Sequence, residues 1–127
     1  MTDNFGLSTI AQIAVNAHDL DRAVAFYRDR LGMKLLFTVP PKMAFFDCDG
    51  TRLMLSLPDR PQFDHPSSIL YFNVADIKQA HKTLVDRGVE FVEEPNFVAN
   101  MGTYDLWVGF FRDSEDNTLA IMSNVPH

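Results

Sequence analysis

Few side chains in this sequence have the type and spacing of a metal or nucleophile site. The four histidines are His18, His65, His81 and His127, and no two of them have the short spacing of a metal-binding motif. The single cysteine, Cys48, stands between two aspartates, whose charges raise the pKa of a thiol and disfavour the nucleophilic thiolate. We therefore predict surface roles for the histidines and no nucleophilic role for the cysteine.

Other side chains suit the binding of a small molecule. Arg52 and Tyr71 either grip a carboxylate or a phenol, or are a solvent-paired arginine and a core tyrosine. Trp107 and Phe110 form either an aromatic wall or part of the core. The 6 methionines adapt to apolar ligands as readily as they fill gaps in a core, so composition does not decide between the two roles.

Composition excludes several classes of partner. A chain of 127 residues with a formal net charge of −6 has the size of one domain and repels phosphate backbones and anionic lipids. No segment reaches the roughly 20 apolar residues of a membrane helix. The lone cysteine and the lack of a recognisable leader favour a reducing compartment. We expect a soluble, cytoplasmic, single-domain protein over residues 1–127, with no nucleic-acid or membrane partner.

The elements that would position these side chains follow one order twice. A strand over residues 9–16, a helix that starts after Asp19 and stops at Gly32, and strands over residues 34–39, 43–47 and 51–57 form a βαβββ unit. Residues 58–67 contain three prolines and read as a linker. A second unit follows, with a strand at residues 69–74, a helix that starts at Asp76 and stops at Gly88, and strands over residues 90–93, 106–112 and 118–123. Residues 96–104 read as a long loop that is either a lid or an ordinary surface connection.

An internal repeat supports this division. Shifting the first unit by 57 positions superposes identical residues, and the two helix-stop glycines, Gly32 and Gly88, are 56 apart. The superposed pairs are Asn16 with Asn73, Asp19 with Asp76, Ala23 with Ala80, Asp29 with Asp86, and Arg30 with Arg87. A unit of this length cannot cover its own apolar sheet face, so two modules, residues 9–57 and 68–123, are expected to pair.

Two stretches resemble a known superfamily. Residues 12–23 (QIAVNAHDLDRA) and 26–32 (FYRDRLG) look like the opening of vicinal oxygen chelate proteins, which include glyoxalase I, bleomycin resistance proteins and extradiol dioxygenases. Residues 110–122 (FFRDSEDNTLAIM) are similar to the closing segment, in which an Asp-Pro-Asp/Glu-Gly-Asn turn precedes the last strand. The resemblance implies an α+β fold, in which two tandem βαβββ modules form an open, curled mixed sheet, and a homodimer.

The resemblance also implies where a metal would bind. The four family positions fall at Gln12, Met54 (or its neighbour Leu53), Ile69 and Ala120. Only Gln12 offers a donor that a hard divalent cation prefers. We therefore predict no metal and no other cofactor, which argues against the metal-dependent reactions of the superfamily.

Strand alternation then indicates which side chains face the family's cavity. The ligand-binding residues that we predict are Gln12, Arg52, Met54, Tyr71, Trp107 and Met122. Two functions stay open. The first is a small-molecule binding protein of the bleomycin resistance type, whose dimer holds apolar or aromatic ligands without a metal. The second is an enzyme of the superfamily that uses a relocated metal or a metal-free general base, with Glu93, Glu94 or Asp47 as the base.

Overall fold

The computed structural model describes residues 5–127, and residues 1–4 of the expected domain lie outside the described part. Its elements, in chain order, are β1 (Gln12–Asn16), α1 (Leu20–Ala25) continued by a π-helical turn (Phe26–Arg30), β2 (Lys34–Val39), β3 (Met43–Cys48), β4 (Thr51–Ser56), a short 3-10 helix (Pro61–Phe63), β5 (Leu70–Asn73), α2 (Ile77–Asp86), β6 (Phe91–Asn100), β7 (Tyr104–Arg112) and β8 (Thr118–Pro126). Sheet A has the strand order β1-β4-β3-β2, and sheet B has the order β5-β8-β7-β6. In each sheet the first strand of the module is parallel to the last. This confirms the α+β fold of tandem βαβββ modules. We call the halves module 1 (β1 to β4) and module 2 (β5 to β8).

The two helices begin in the same way. Asp19 caps α1 by accepting a hydrogen bond from the Arg22 amide at 3.0 Å, and Asp76 caps α2 by accepting one from the Gln79 amide at 3.1 Å. The two caps have nearly the same backbone angles, φ −131° and ψ 102° against φ −127° and ψ 101°. A side-chain oxygen at this position satisfies an amide that the first helical turn leaves without a partner. The repeated aspartate is therefore a repeated helix start.

The two helices end differently, because module 1 has one more residue between its cap and its stop. Gly32 and Gly88 both lie at positive φ, 71° and 86°, where glycine ends a helix without strain. In module 1 the Leu31 amide donates to the Phe26 carbonyl oxygen, five residues back. This π-helical turn absorbs the extra residue, which accounts for the change in offset from 57 to 56.

The core lies between the helix-facing sides of the two sheets. On β4, Leu53 and Leu55 are 1% and 0% exposed and face the helices, whereas the alternate residues face outward. On sheet B, Phe111 and Leu119 point toward the same core and are each 1% exposed. Buried residues of both modules form one apolar cluster. Each sheet therefore turns its other side, which we call its outward face, away from the other module.

Paired arginines join the modules at the helix ends. Arg30 Nη1 donates to the Gly88 carbonyl oxygen at 3.0 Å, and Arg87 Nη1 donates to the Arg30 carbonyl oxygen at 3.3 Å. A Cβ at Gly32 would lie 3.2 Å from Arg87 Nη1, and one at Gly88 would lie 3.4 Å from Arg30 Nη1. Each glycine thus admits the arginine of the other module.

A buried polar network also joins the modules. The Asp113 carboxylate accepts hydrogen bonds from Tyr27 Oη at 2.7 Å and from Asn117 Nδ2 at 2.8 Å, and from the amides of Glu115 and Asn117 at 2.8 Å each. Asn117 Nδ2 also donates to the Asn16 carbonyl oxygen at 2.8 Å. Burial and the nearby Asp113 carboxylate hold the pKa of Tyr27 well above its ordinary value, so its hydroxyl stays a donor.

Glu115 makes a second link across the modules. Its carboxylate accepts from the amides of His18 and Asp19 at 2.8 and 2.9 Å and from Arg22 Nε at 2.7 Å. Burial raises the pKa of this carboxyl group, but the hydrogen bonds from Arg22, the two amides and Ser114 outweigh burial and lower the pKa to about 2. The turn before β8 therefore holds the start of α1 in place.

The predicted loop at residues 96–104 is wrong. β6 continues to Asn100, β7 begins at Tyr104, and only residues 101–103 connect them, so this segment is a hairpin and not a lid. The prediction was wrong because Pro95 and the bulges in the β6–β7 pairing interrupt the regular strand pattern of β6. A proline is tolerated here because β6 is an edge strand.

Candidate ligand-binding faces

Three of the predicted ligand-binding residues meet on the outward face of sheet A. Gln12 Oε1 accepts a hydrogen bond from Arg52 Nε at 2.7 Å, and Gln12 Nε2 lies 3.8 Å from Met54 Sδ. Leu53 was the alternative to Met54 as the implied metal position on β4, but it points into the core and is 1% exposed. The residue of β4 that belongs to this face is therefore Met54.

Two aromatic residues that the sequence reading missed extend the same face. The Arg52 guanidinium carbon lies 4.9 Å from the centre of the Phe45 ring, and the Phe45 ring stacks on Phe37 with centroids 4.7 Å apart at 30°. Phe45 pairs with Met54 in the β3–β4 register, so strand alternation contained the signal. We call Phe37, Phe45, Arg52 and Gln12 the Arg52 row, because they cross the sheet from β2 to β1.

Arg52 in this row keeps donors available. Its Nε is bound to Gln12 and its guanidinium carbon lies over the Phe45 ring, and neither contact uses its terminal nitrogens. Within residues 5–127, neither terminal nitrogen has a hydrogen-bond partner. A guanidinium held in this way is suited to binding a carboxylate or another planar anion.

The four positions that the resemblance implies for a metal offer a divalent cation few ligands. The amide oxygen of Gln12 already accepts from the Arg52 guanidinium, whose positive charge would oppose a second cation. Met54 offers a thioether, Ile69 is an exposed side chain just before β5, and Ala120 is a buried methyl group. Among the described residues, no cluster of three or more His, Cys, Asp or Glu residues could hold a metal ion. The donor set here lacks the oxygen and imidazole ligands that such ions need.

The outward face of sheet B carries two more of the predicted residues. Tyr71 is 50% exposed and meets Phe110 edge-on, with ring centroids 5.9 Å apart. Tyr71 pairs with Ala120 in the parallel register, and Met122 lies two residues further along β8 on the same face. This face is apolar and aromatic. Within one chain it is not brought together with the Arg52 row, because both sheets turn their opposite sides toward the shared core.

Trp107 lies on the opposite side of sheet B from Tyr71 and Phe110. It packs against the core cluster, and Lys78 Nζ lies 5.9 Å from the centre of its ring. Trp107 and Phe110 are three residues apart on one strand, so their side chains leave opposite faces. Of the expected aromatic wall, only Phe110 stands beside Tyr71.

A cavity of about 440 Å³ adjoins the Arg52 row. Met54 and Ser56 line its floor, and Phe63 and His65 of the segment between the modules line its edge. Asp64 accepts from His18 Nε2 at 2.7 Å and from Asn16 Nδ2 at 3.1 Å, and these two bonds lower the pKa of Asp64. The segment is thereby tied to β1 across one end of the outward face.

The remaining histidines and the cysteine have separate environments. The His81 ring meets the Phe91 ring edge-on at 4.5 Å, and His127 Nε2 lies 2.7 Å from the Asp105 carboxylate. The Cys48 pKa is raised, first by burial and then by the neighbouring aspartates. None of the three brings a nucleophile or a metal ligand to the outward faces.

The three candidate bases are committed elsewhere or stand alone. Asp47 lies opposite Arg52 in the β3–β4 register, and its carboxylate accepts from the Gly50 amide at 3.2 Å, which closes the turn. Glu93 accepts from Asn96 Nδ2 at 3.0 Å, and Glu94 is exposed on β6. This arrangement gives no specific support to base catalysis.

Comparison with known proteins places this geometry among related folds. A model of the Glyoxalase/Bleomycin resistance protein/Dioxygenase superfamily matches residues 9–121. The uncharacterized protein YurT of Bacillus subtilis (strain 168) is 28% identical over 130 aligned positions, which cover 89% of this chain and 97% of that protein. The crystal structure of a glyoxalase/bleomycin resistance protein/dioxygenase from Alicyclobacillus acidocaldarius has a TM-score of 0.72 at 24% identity, covering 91% of each chain. A lactoylglutathione lyase from Agrobacterium tumefaciens has a TM-score of 0.75 at 22% identity, covering 92% of this chain and 94% of its own.

Proposed function

The chain belongs to the Glyoxalase/Bleomycin resistance protein/Dioxygenase superfamily, and we propose that it binds a small apolar or aromatic molecule without a metal ion. One structural neighbour is named a lactoylglutathione lyase, and we do not propose that activity for this chain. The four positions implied for a metal supply one usable donor, Gln12, and its oxygen is bound to Arg52. Neither helix in the described residues has the length and apolar content needed to span a bilayer.

The Arg52 row is the observation that carries the proposal. It combines a stacked pair of rings with a guanidinium that is bound to Gln12 through Nε and whose terminal nitrogens have no hydrogen-bond partner within residues 5–127. Aromatic surface supplies most of the buried area for a small ligand, and a few fixed polar groups supply orientation. Phe45 is only 8% exposed and supports Phe37 and Arg52. A planar molecule lying against the Phe37 ring, which is 48% exposed, with an acidic or carbonyl group at Arg52, satisfies both.

We further propose that two copies complete the site. The outward faces of sheets A and B lie on opposite sides of the shared core, so one chain offers Arg52 and Tyr71 to different solvent regions. A ligand on either face alone would remain half in water, whereas ligand sites enclose most of a small molecule. In a symmetric dimer, sheet A of one copy faces sheet B of the other, and the pair forms two equal sites.

A binding screen with matched variants tests this function. Wild-type protein is titrated with aromatic carboxylates, aromatic antibiotics and thioesters, with melting temperature and calorimetric affinity as readouts. We expect at least one aromatic compound to bind, and Arg52→Gln to weaken a carboxylate ligand by about tenfold, the size of a lost charge-assisted hydrogen bond. Arg28→Gln is the control, because Arg28 is exposed and pairs only with Asp29.

Two further measurements bear on the same proposal. Sedimentation should give twice the mass of one chain, and a monomer that binds ligand at full affinity would remove the shared-site argument. Elemental analysis after exposure to zinc, nickel, iron and manganese should give far less than one metal per chain. If one metal ion bound per chain, and if the Gln12→Ala substitution abolished that binding, the result would support the enzymatic alternative instead.

A further inference from the structure

Module 2 contains an apolar pocket on the helix side of sheet B, away from both outward faces. The pocket has a volume of about 300 Å³ and lies between α2, sheet B and the end of the helix of module 1. Its apolar walls are Leu31, Met33, Phe72, Val74, Ala80, Leu84, Phe111 and Ile121. The polar residues at the pocket are Thr83 and Arg87.

The repeat explains why the pocket exists. Met33 N donates to the Tyr27 carbonyl oxygen and Val89 N to the Leu84 carbonyl oxygen, so Tyr27 and Leu84 occupy equivalent positions. By the same offset Phe26 corresponds to Thr83. Module 1 therefore fills the space between helix and sheet with two aromatic rings, and module 2 has smaller side chains in both places.

Burial supports this comparison. Phe26 and Tyr27 are 6% and 0% exposed, whereas Thr83 and Leu84 are only partly buried. The sheet positions follow the same rule: Val15 of module 1 is 1% exposed, and its equivalent, Phe72, is partly buried. Apolar side chains that are open to water around an unfilled space lose packing that a ligand can restore.

Arg87 gives the pocket a charge preference. Its Nη1 donates to the Arg30 carbonyl oxygen at 3.3 Å, which holds the side chain beside the pocket. In the part of the chain that the structure describes, its other nitrogens have no hydrogen-bond partner. The free edge of the guanidinium is thus available to a carboxylate at the mouth of an apolar space.

We propose that this pocket is a second binding site, for a small carboxylate with an apolar body. An apolar protein cavity of roughly 150 Å³ holds benzene, so twice that volume takes a chain or ring system of about eight to ten carbon atoms. The site is independent of the outward faces and requires no second copy of the chain. Its occupant is an amphipathic anion, because eight of the ten lining side chains are apolar and the charged one is an arginine.

Methionine methyl NMR separates this site from the outward faces. Met33 lines the pocket, whereas Met54 and Met122 lie on sheets A and B outside it. We titrate protein carrying 13C-methyl methionine with octanoate and with 1-octanol, which share a chain and differ in head group. We expect saturable shifts of Met33 with octanoate and weaker binding of 1-octanol. The Met33 titration should be the same in Arg52→Gln as in wild type, whether or not Met54 and Met122 on the outward faces also respond.

Three variants test the roles of the residues. Thr83→Phe gives module 2 the ring that module 1 has, and it should abolish the octanoate shift. Arg87→Gln should weaken octanoate by about tenfold, the usual value of a charge-assisted hydrogen bond, and leave 1-octanol unchanged. Lys82→Gln, on the outer side of α2, is the matched control and should change neither.

Three results would overturn the proposal. If the Met33 methyl signal shifts with neither octanoate nor 1-octanol, the pocket does not bind an apolar ligand. Equal octanoate affinities of wild type and Arg87→Gln exclude the anion preference, and this comparison holds even if Thr83→Phe fails to fold. Met33 shifts that change on dilution without ligand show that a second copy of the chain occupies the pocket.

Discussion

The two modules share one plan, and they differ most where each helix meets its sheet. In module 1, Phe26 and Tyr27 close this space, and the Tyr27 hydroxyl reaches Asp113 of module 2. In module 2, Thr83 and Leu84 leave the space open. The turns before the last strands differ too, because Glu115 holds module 1 whereas Asp47 only closes its own turn. Module 1 therefore closes the space between its helix and its sheet with aromatic rings, whereas module 2 keeps a pocket there and holds module 1 through Asp113 and Glu115.

The largest effect on the free energy of unfolding is expected when Tyr27 of module 1 is replaced by leucine, the residue at the equivalent position of module 2. Tyr27→Leu removes a fully buried ring and leaves the Asp113 carboxylate with one donor fewer, so it should lower the free energy of unfolding by about 4 kcal/mol. Urea denaturation measures the change. Tyr27→Phe, which removes only the hydroxyl, should cost about 1–3 kcal/mol.

The control lies at the equivalent position of the other module. Leu84→Met conserves volume beside the open pocket, so it should cost less than about 1.5 kcal/mol. A Tyr27→Leu cost no larger than that of Leu84→Met would mean that the two modules are packed alike.

A smaller effect with a pH signature is expected at Glu115. Its pKa is about 2 in the folded chain against an ordinary value of 4.5, so the ionised form stabilises the fold. This contribution is present above pH 4.5 and is lost as the pH falls toward 2. Glu115→Gln should lower the free energy of unfolding at pH 7 by roughly 2–3 kcal/mol, and its deficit relative to wild type should shrink toward pH 2.

Unfolding curves at several pH values check this dependence. The matched control is Glu94→Gln, an exposed glutamate on the edge strand β6, which should run parallel to wild type at every pH. A Glu115→Gln deficit that stays constant with pH would show that the carboxylate charge does not link the modules.

The smallest effect concerns a feature that the modules share. Asp49 and Asp116 both stand two residues before a last strand and lie at positive φ, 50° and 66°. Glycine relieves the cost of this conformation but loses more backbone entropy on folding, so Asp49→Gly and Asp116→Gly should each stabilise by about 0.5 kcal/mol. The exposed pair of Arg112 and Asp116, 3.6 Å apart, adds little to the balance.

Paired melting curves of the two variants check the equivalence. Changes of opposite sign would show that the turns are not alike, despite their backbone angles.

The repeat made much of the fold predictable from sequence. Asp19 and Asp76 marked both helix starts and Gly32 and Gly88 both ends, because capping and left-handed stops depend on local residue types. The extra residue in module 1 was visible as a change of offset, although its conversion into a π-helical turn was not. The length of β6 was not predictable because of Pro95. A proline is tolerated in an edge strand, but whether a strand is an edge strand depends on the sheet order of the whole fold.

The candidate site was less predictable. The alternation of side chains along a strand correctly predicted that Gln12, Arg52 and Met54 share one face. The same rule places Trp107 and Phe110 on opposite faces, because they are three residues apart on one strand. The linking role of Tyr27 was beyond reach, because it depends on how two modules pack back to back, and that arrangement involves residues far apart in the chain.

The π-helical turn has a consequence for how the halves can diverge. One added residue in a regular helix rotates everything beyond it by about 100°, which would swing the helix end away from its partner. Here a single wide turn takes up that rotation, and Gly32 still reaches the neighbourhood of Arg87. Changes of length inside this helix are thus confined to one turn, and the contact surface beyond it keeps its orientation.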